Sequence, residues 1–443
     1  MNITSIFSVL VFLLILTIIV YVHELGHFLT AKKFGVYCKE FAIGMGTKIW
    51  GRQKGETLYS VRALPMGGFV QMVGEDGELF KLNRDDQVWL EFSKNDKIAK
   101  IFFVQPQGVE MAIFVKIVAL EKAVEPMSMQ YVYNDELLTA QCENIVYCYD
   151  EKEDEQWIVA NNRQFTNIKP SKKIIVLAAG ATMNFIFGFI FLFASTWIGG
   201  VNIAPIIATD MSENTATSFV VGDEILSVDG KTFPDFSALQ TYIKANPSKE
   251  VIIKVARDAK EVEITRTLIA SESQQVTKNG VEVKTVGLLG VTYERNHTNI
   301  IAILKESIHA FIGMFEYIFF VLLSLFTGKI KLTNLTGFVG IAQQTNMVIT
   351  AQTAAISLGA KMAEIGARLL GFAAFLSINI GAMNLLPFPA LDGGRIVFAL
   401  YEVIFRKKVS AKLETYVNIA GFLLLIFVFI AITIQDVIRL FRP

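Results

Sequence analysis

Residues 5 to 22 carry no charged side chain, and the run leads directly into His23-Glu24-Leu25-Gly26-His27. With its flanks the run is about 20 residues, or ~30 Å of helix, the thickness of a bilayer's hydrocarbon core. Composition agrees with a membrane setting: 53% of the 443 residues are hydrophobic and 19% are charged, where a soluble domain carries about 25% charge. The run is not a secretion signal, because no Lys or Arg precedes it and no small-residue cleavage site follows. Positive charge comes afterwards, at Lys32, Lys33, Lys39 and Lys48. The positive-inside rule therefore puts the N-terminus outside.

Three further stretches are long and apolar enough to span, at 174–198, 369–391 and 416–434. A fourth, 308–326, carries His309 and Glu316. Between the spans lie polar pieces. Residues 36–74 read as short strands with glycine turns, with period-2 runs around Gly51–Gly55 and a turn signal at Pro65–Gly68. Residues 75–170 mix charge clusters with alternating runs such as "IAKIFFV" and "AIFVKIVAL", as a small β-rich unit would. Residues 200–294 hold another compact domain, with a helical pattern at 236–246 and a strand at 250–257. Lys+Arg and Asp+Glu balance at 41 each, so no global field points to nucleic acid. Three cysteines are too few for a disulfide framework or a cysteine zinc cluster.

His23 and His27 are four residues apart, so on a helix they differ by only about 40° and share a face. Two imidazoles so placed reach one metal ion, and Glu24 stands beside it as a base, the H-E-x-x-H arrangement of zinc hydrolases. Ionisable groups at the end of an apolar span are costly unless paired or ligated. A catalytic zinc takes three protein ligands, and His297 and His309, the only other histidines, are away from the obvious spans. The third ligand is then a carboxylate or a distant residue. Asp392, in "NLLPFPALDGG", is the candidate, because Asn384, Pro387 and Pro389 interrupt the helix before it, and irregular backbone at membrane depth is tolerated beside protein or a wet cavity. If these residues meet, the two helix ends lie at one depth and an odd number of crossings separates them. Segment 308–326 then lies in the interface, leaving four spans.

"HELGH", "NLLPFPALDGG", "KEFAIGMG" (39–46), "LPMGGFVQMVGED" (64–76) and "VGDEILSVDG" (221–230) together resemble the site-2 protease family of intramembrane zinc metalloproteases, in its branch that regulates bacterial sigma factors. The resemblance covers nearly the whole chain. It implies a Zn²⁺ cofactor held by His23, His27 and Asp392, Glu24 as catalytic base, and Asn384, Pro387 and Pro389 at positions that hold an unwound substrate. It also implies that 203–290 is a PDZ domain with Gly222, Asp223 and Gly230 at its turns. Gram-negative relatives carry two such domains where this chain shows one. Ala181 and Phe338 stand where the family has proline.

The expected fold is an α-helical polytopic membrane protein with four transmembrane helices, a membrane-associated β-loop, a cytosolic β-rich insert and one extracytoplasmic PDZ-like α+β domain. Its divisions are 1–35, first transmembrane helix; 36–74, β-loop; 75–170, insert; 171–199, second transmembrane helix; 200–294, PDZ-like domain; and 295–368, interfacial helix and connector. Residues 369–394 form the third transmembrane helix, 395–415 a cytosolic loop and 416–443 the fourth. The expected function is zinc-dependent cleavage within the transmembrane segment of single-pass membrane proteins such as anti-sigma factors already clipped outside, or signal-peptide remnants. The expected setting is the bacterial cytoplasmic membrane, with both termini outside, the lipid bilayer as partner, no nucleic acid, and a functional monomer. The rival readings are a PDZ-containing scaffold with a non-catalytic metal site and a transporter using Asp392 as an ion site.

Overall fold

The computed structural model describes residues 3–75, 82–106, 112–150, 155–210, 219–277, 280–329, 337–351 and 357–441. Asp76 of the "VGED" motif and parts of the insert and of the 203–290 domain lie outside these. The helices are α1 (Ile3–Lys33), α2 (Pro170–Gly199), α3 (Phe236–Lys244), α4 (Ile300–Phe326), α5 (Phe338–Thr350), α6 (Leu358–Asn384), α7 (Asp392–Phe405) and α8 (Ala411–Phe441). Among the described residues five of them, α1, α2, α4, α6 and α8, are long and apolar enough to cross a membrane. Large apolar side chains face outward along them, including Leu10 and Leu14 of α1 and Phe422 and Phe427 of α8. Such a surface suits lipid rather than water. The chain is a polytopic membrane protein. Where the sequence expects four spans, length and composition admit a fifth in α4.

The third apolar segment differs from expectation at both ends. Helix α6 begins at Leu358 and stops at Asn384, and Asp392 opens the separate helix α7 instead of closing the same one. Proline explains the stop. Pro387 and Pro389 cannot donate a backbone hydrogen bond, and they bias the residues before them away from helix.

The described chain forms two compact units. One comprises residues 10–185 and 380–430. In it, β1 (Cys38–Lys54) and β2 (Thr57–Met72) are long antiparallel strands bent by register shifts, so that residues 41–43 pair with 59–61 on one side and 68–70 on the other. Residues 68–72 are consequently an edge. The bend at Pro65–Gly67 rests on α1, where Thr17 Oγ1 donates to the Pro65 carbonyl at 2.7 Å.

The insert is a six-stranded sheet of β3 (Gln87–Phe92), β4 (Ile98–Phe102), β5 (Ala112–Glu121), β6 (Ser128–Tyr133), β7 (Glu136–Tyr149) and β8 (Glu155–Val159), in the order β4-β3-β5-β6-β7-β8, with β4 also pairing β7. Alternating residues such as Val88, Leu90, Val115 and Ile117 fill its core. Arg163 ties the insert to the β1–β2 turn through Glu56, which also binds Lys32 at the end of α1. The three cysteines are free and buried.

The other unit comprises residues 1–9, 186–379 and 431–443. It contains β9 (Ile207–Asp210), β10 (Glu224–Val228), β11 (Glu250–Arg257), β12 (Lys260–Thr267), β13 (Ile269–Thr277), β14 (Gly280–Leu288) and β15 (Val291–Tyr293). Strands β10-β11-β12 form a sheet, β13 pairs β14, and β15 pairs β9. Helix α3, N-capped by Asp235, buries Leu239 and Ile243 in the shared core.

Candidate active site

Helices α1 and α2 approach closely because glycine faces glycine's neighbour. A Cβ on Gly26 would lie 2.7 Å from the Ala179 carbonyl carbon, and one on Gly180 would lie 2.7 Å from His23 Nε2 and collide with His27 Nε2. Small residues at such crossings let two apolar helices pack backbone to backbone. The glycines also clear the space in which the two imidazoles sit.

Helix α7 brings the third group. Gly393 and Gly394 lie so close to the carbonyls of Leu386 and Phe388 that a side chain on either would clash, which lets α7 fold back beneath the irregular 385–391 segment. Ala390 within that segment has φ +73°, uncommon outside glycine. The Asn418 side chain accepts from its N–H at 3.3 Å, and Gly421 leaves room for Pro389. Helix α8 therefore holds the loop in place. Asp392 then sits at the N-terminus of α7, where the helix dipole favours a carboxylate.

His23 Nε2 lies 3.0 Å from Asp392 Oδ2, His27 Nε2 lies 3.3 Å from the same oxygen, and the two Nε2 atoms are 3.1 Å apart. Among the described residues this is the one group of three His, Cys, Asp or Glu side chains placed to share an ion. The spacing fits zinc: tetrahedral ligands about 2.0–2.1 Å from an ion stand roughly 3.3 Å from one another. The donor chemistry fits as well. His27 Nδ1 is 2.8 Å from the Val176 carbonyl, which can only accept, so Nδ1 carries the hydrogen and Nε2 of the neutral ring turns a lone pair inward. Lone pairs that converge without a proton between them call for a cation.

The same cleft, of about 730 Å³, is lined by Glu24, Val70, Ile380 and Asn384. Glu24 Oε2 accepts from Val70 N at 3.1 Å, so the edge of β2 turns its backbone toward this carboxylate. The Asn384 amide nitrogen is 3.4 Å from His23 Nε2. Of the other two positions expected to hold substrate, Pro387 is exposed and Pro389 packs on Gly421. The two prolines act on the shape of the loop. The cleft also contains Glu40 and Glu75, which lie within the quoted motifs but have no expected role there. Glu40 is buried and paired with Arg62 at 2.8 Å through both carboxylate oxygens, with Ser60 donating to it. Arg395, one turn on from Asp392, pairs with the Glu75 carboxylate and donates to its carbonyl at 3.2 Å, joining the segment after β2 to the helix that carries Asp392.

This geometry agrees with the relationships of the chain. The profile of Peptidase family M50 matches residues 11–428. The chain is a member of peptidase family M50. It is similar to the regulator of sigma-W protease RasP of Bacillus subtilis, with 33% identity over 98% of this chain and 99% of the relative. It is also similar to the zinc metalloprotease RasP of Bacillus licheniformis, 32% identical over 98% of this chain and 99% of the relative, and to that of Geobacillus kaustophilus, 30% identical over 98% of each. M50 membership makes this polytopic membrane protein a peptidase, so the scaffold and transporter readings fall away.

Proposed function

We propose that this zinc metalloprotease cleaves a peptide bond within or beside the membrane-spanning segment of a single-pass membrane protein, with His23, His27 and Asp392 as metal ligands and Glu24 as catalytic base. The observation that carries the reading is the convergence of three ligand atoms within 3.3 Å of one another in a cleft that Glu24 also lines. Zinc held there supplies Lewis acidity, polarising the scissile carbonyl and lowering the pKa of water to about 7. Glu24 takes the proton of the attacking water and passes it to the leaving nitrogen. Val70 N–H orients Glu24.

A transmembrane substrate hides its carbonyls in helical hydrogen bonds and must be drawn out before water can attack. The 68–72 edge supports strand addition as the means, and Asn384 supplies an amide to the extended peptide beside the ligands. Glu24→Gln should abolish cleavage of a model substrate in detergent, a loss of about 10²–10⁴-fold or more, with zinc content and melting temperature unchanged. An active Gln variant would refute the assignment.

The site geometry supports four spans. His27 meets Val176 while His23 meets Asn184, so α1 and α2 run antiparallel. Asn384 at the end of α6 reaches His23, which puts that end at the depth of the histidines. One return through α2 satisfies this. A further crossing by α4 would place Asn384 on the opposite face, and α5, with 13 residues, is too short to restore the parity by spanning. Helix α4 then lies in or dips into the outer interface. Both termini and the 200–294 domain are outside the cytoplasmic membrane of a bacterium, and the insert is inside.

The relative named as a regulator of sigma-W suggests the substrate class: membrane-anchored anti-sigma factors already clipped outside, making this the second cut of a two-step release. Signal-peptide remnants share the same chemistry. The enzyme works as a monomer, since all four site residues come from one chain. The PDZ-like reading of 200–294 has support in a groove of about 360 Å³ lined by Ile243 and Lys244 of α3 and Leu288 and Val291 of the adjoining strands, a shape suited to an added peptide strand. Crosslinking in cells that express Glu24→Gln, followed by mass spectrometry, would identify what the site retains. Recovery of soluble proteins alone would contradict this substrate class.

A further inference from the structure

Helix α2 meets the two histidines with a stripe of three positions at helical spacing, Val176, Gly180 and Asn184. The Val176 carbonyl accepts from His27 Nδ1 at 2.8 Å. Gly180 leaves its Cα bare beside both rings. The side-chain amide of Asn184, fully buried, lies 3.3 Å from His23 Nδ1. We propose that Asn184 is a positioning residue for the metal centre, accepting the Nδ1–H of His23 and so fixing the tautomer and ring plane in which Nε2 coordinates. The proposal rests on the reading of His23 as a ligand.

Nε2 of His23 faces Asp392 and His27, so coordination through Nε2 requires the hydrogen of the neutral ring to be on Nδ1. That N–H is buried, and leaving it without an acceptor costs about 1–3 kcal/mol. Asn384 does not serve, because it approaches His23 from the Nε2 side. The Asn184 amide does, once its oxygen faces the ring; the amide nitrogen is placed there, and a half-turn about the terminal bond exchanges two atoms of nearly equal size. Each histidine then has its own acceptor from α2, a main-chain carbonyl for His27 and a side-chain one for His23. Because Asn184 is in the interior of an apolar span, where polar side chains are scarce, a dedicated partner accounts for its presence.

The bland alternative is packing: a Cβ on Gly381 of α6 would come within 3.2 Å of Asn184 Cβ, so Asn184 also fills the α2–α6 contact. Two variants separate the roles. Asn184→Leu keeps the volume and removes the acceptor; Asn184→Asp keeps an acceptor and removes the amide donor. Zinc affinity is measured by chelator competition on the purified full-length protein in detergent, with cleavage assayed alongside. The expected result is an affinity loss of about 10–100-fold for Leu, with Asp close to wild type. Unchanged affinity in the Leu variant, or an equal loss in both variants, would overturn the proposal. His23→Ala is the control for the underlying reading. If it retains wild-type affinity, His23 is not a ligand and both statements fall; if it loses zinc while Asn184→Leu does not, only the positioning role fails.

Discussion

The two sheets of the 10–185 and 380–430 unit are built to opposite rules. In the insert, β3–β8 alternate apolar and polar residues around a core of side chains such as Val88, Leu90 and Ile117 that are essentially fully buried. In the β1–β2 sheet a carboxylate is buried instead: Glu40 is 5% exposed and bound by Arg62 and Ser60, and one edge turns an N–H to Glu24. Apolar packing makes the first sheet self-sufficient. The second packs against α1 and leaves the 68–72 edge open, where the proposed substrate strand would pair. Stability and catalysis are therefore assigned to neighbouring pieces of the same unit, and mutations should tell them apart.

The largest effect is expected where α2 touches the proposed metal site. Gly180→Ala puts a methyl group against His27 Nε2 and His23 Nε2. It should abolish zinc binding by direct assay and reduce cleavage to background, without unfolding the insert. A smaller effect is expected at the edge. Val70→Pro removes the N–H that Glu24 accepts, and proline is tolerated at a strand edge. A hydrogen bond to a charged group is worth about 1.5–3 kcal/mol, so kcat/KM should fall roughly 10–100-fold while zinc affinity holds.

In the insert the pattern should reverse. Leu90→Ala empties a fully buried position and should cost about 2–5 kcal/mol of local stability, visible as faster hydrogen exchange in β3–β8, with zinc affinity at the wild-type level. A fall in zinc affinity there would break the division of labour.

The smallest effect belongs to the 200–294 domain. Burial raises the Asp223 carboxyl, but Arg257, 2.7 Å away, and the Val220 N–H outweigh it and hold it below the usual carboxylate range. Asp229, bound by Lys249 and the Ile252 N–H, is pushed down to about 2. Both pKa values are depressed by folding, so their stabilisation is present above the unfolded value of about 4 and is lost as pH falls toward 2. Thermal melts should show a loss over that window, shallower in Asp223→Asn.

The legible parts of this molecule are those in which chemistry restricts residue type. A metal site in lipid accepts few side chains, so His23, Glu24, His27 and Asp392 stand out in the sequence as candidates, and the structure brings the two histidines and Asp392 together; Pro387 and Pro389 mark the break in the third apolar segment even though the helix stops earlier, at Asn384. Strand runs such as "EVIIKVAR" read directly because alternation reports burial, and β11 occupies the same residues. What stays hidden is pairing across the chain. Nothing near Glu75 names Arg395, and nothing near Ala390 names Asn418. Asn184 did leave a signal, an amide inside an apolar span four residues after Gly180, but its partner is 161 positions away. The span count was limited for a different reason: α4 has the composition of a crossing helix, and only the positions of other residues argue against it.

Zinc-edge X-ray absorption of the purified protein, wild type beside Asp392→Ala, tests the central claim most directly. The account predicts nitrogen and oxygen neighbours at about 2.0–2.1 Å with two imidazole rings in the outer scattering, and a changed first shell in the variant. A sulfur neighbour in the wild type, or an Asp392→Ala spectrum indistinguishable from it, would contradict the site described here.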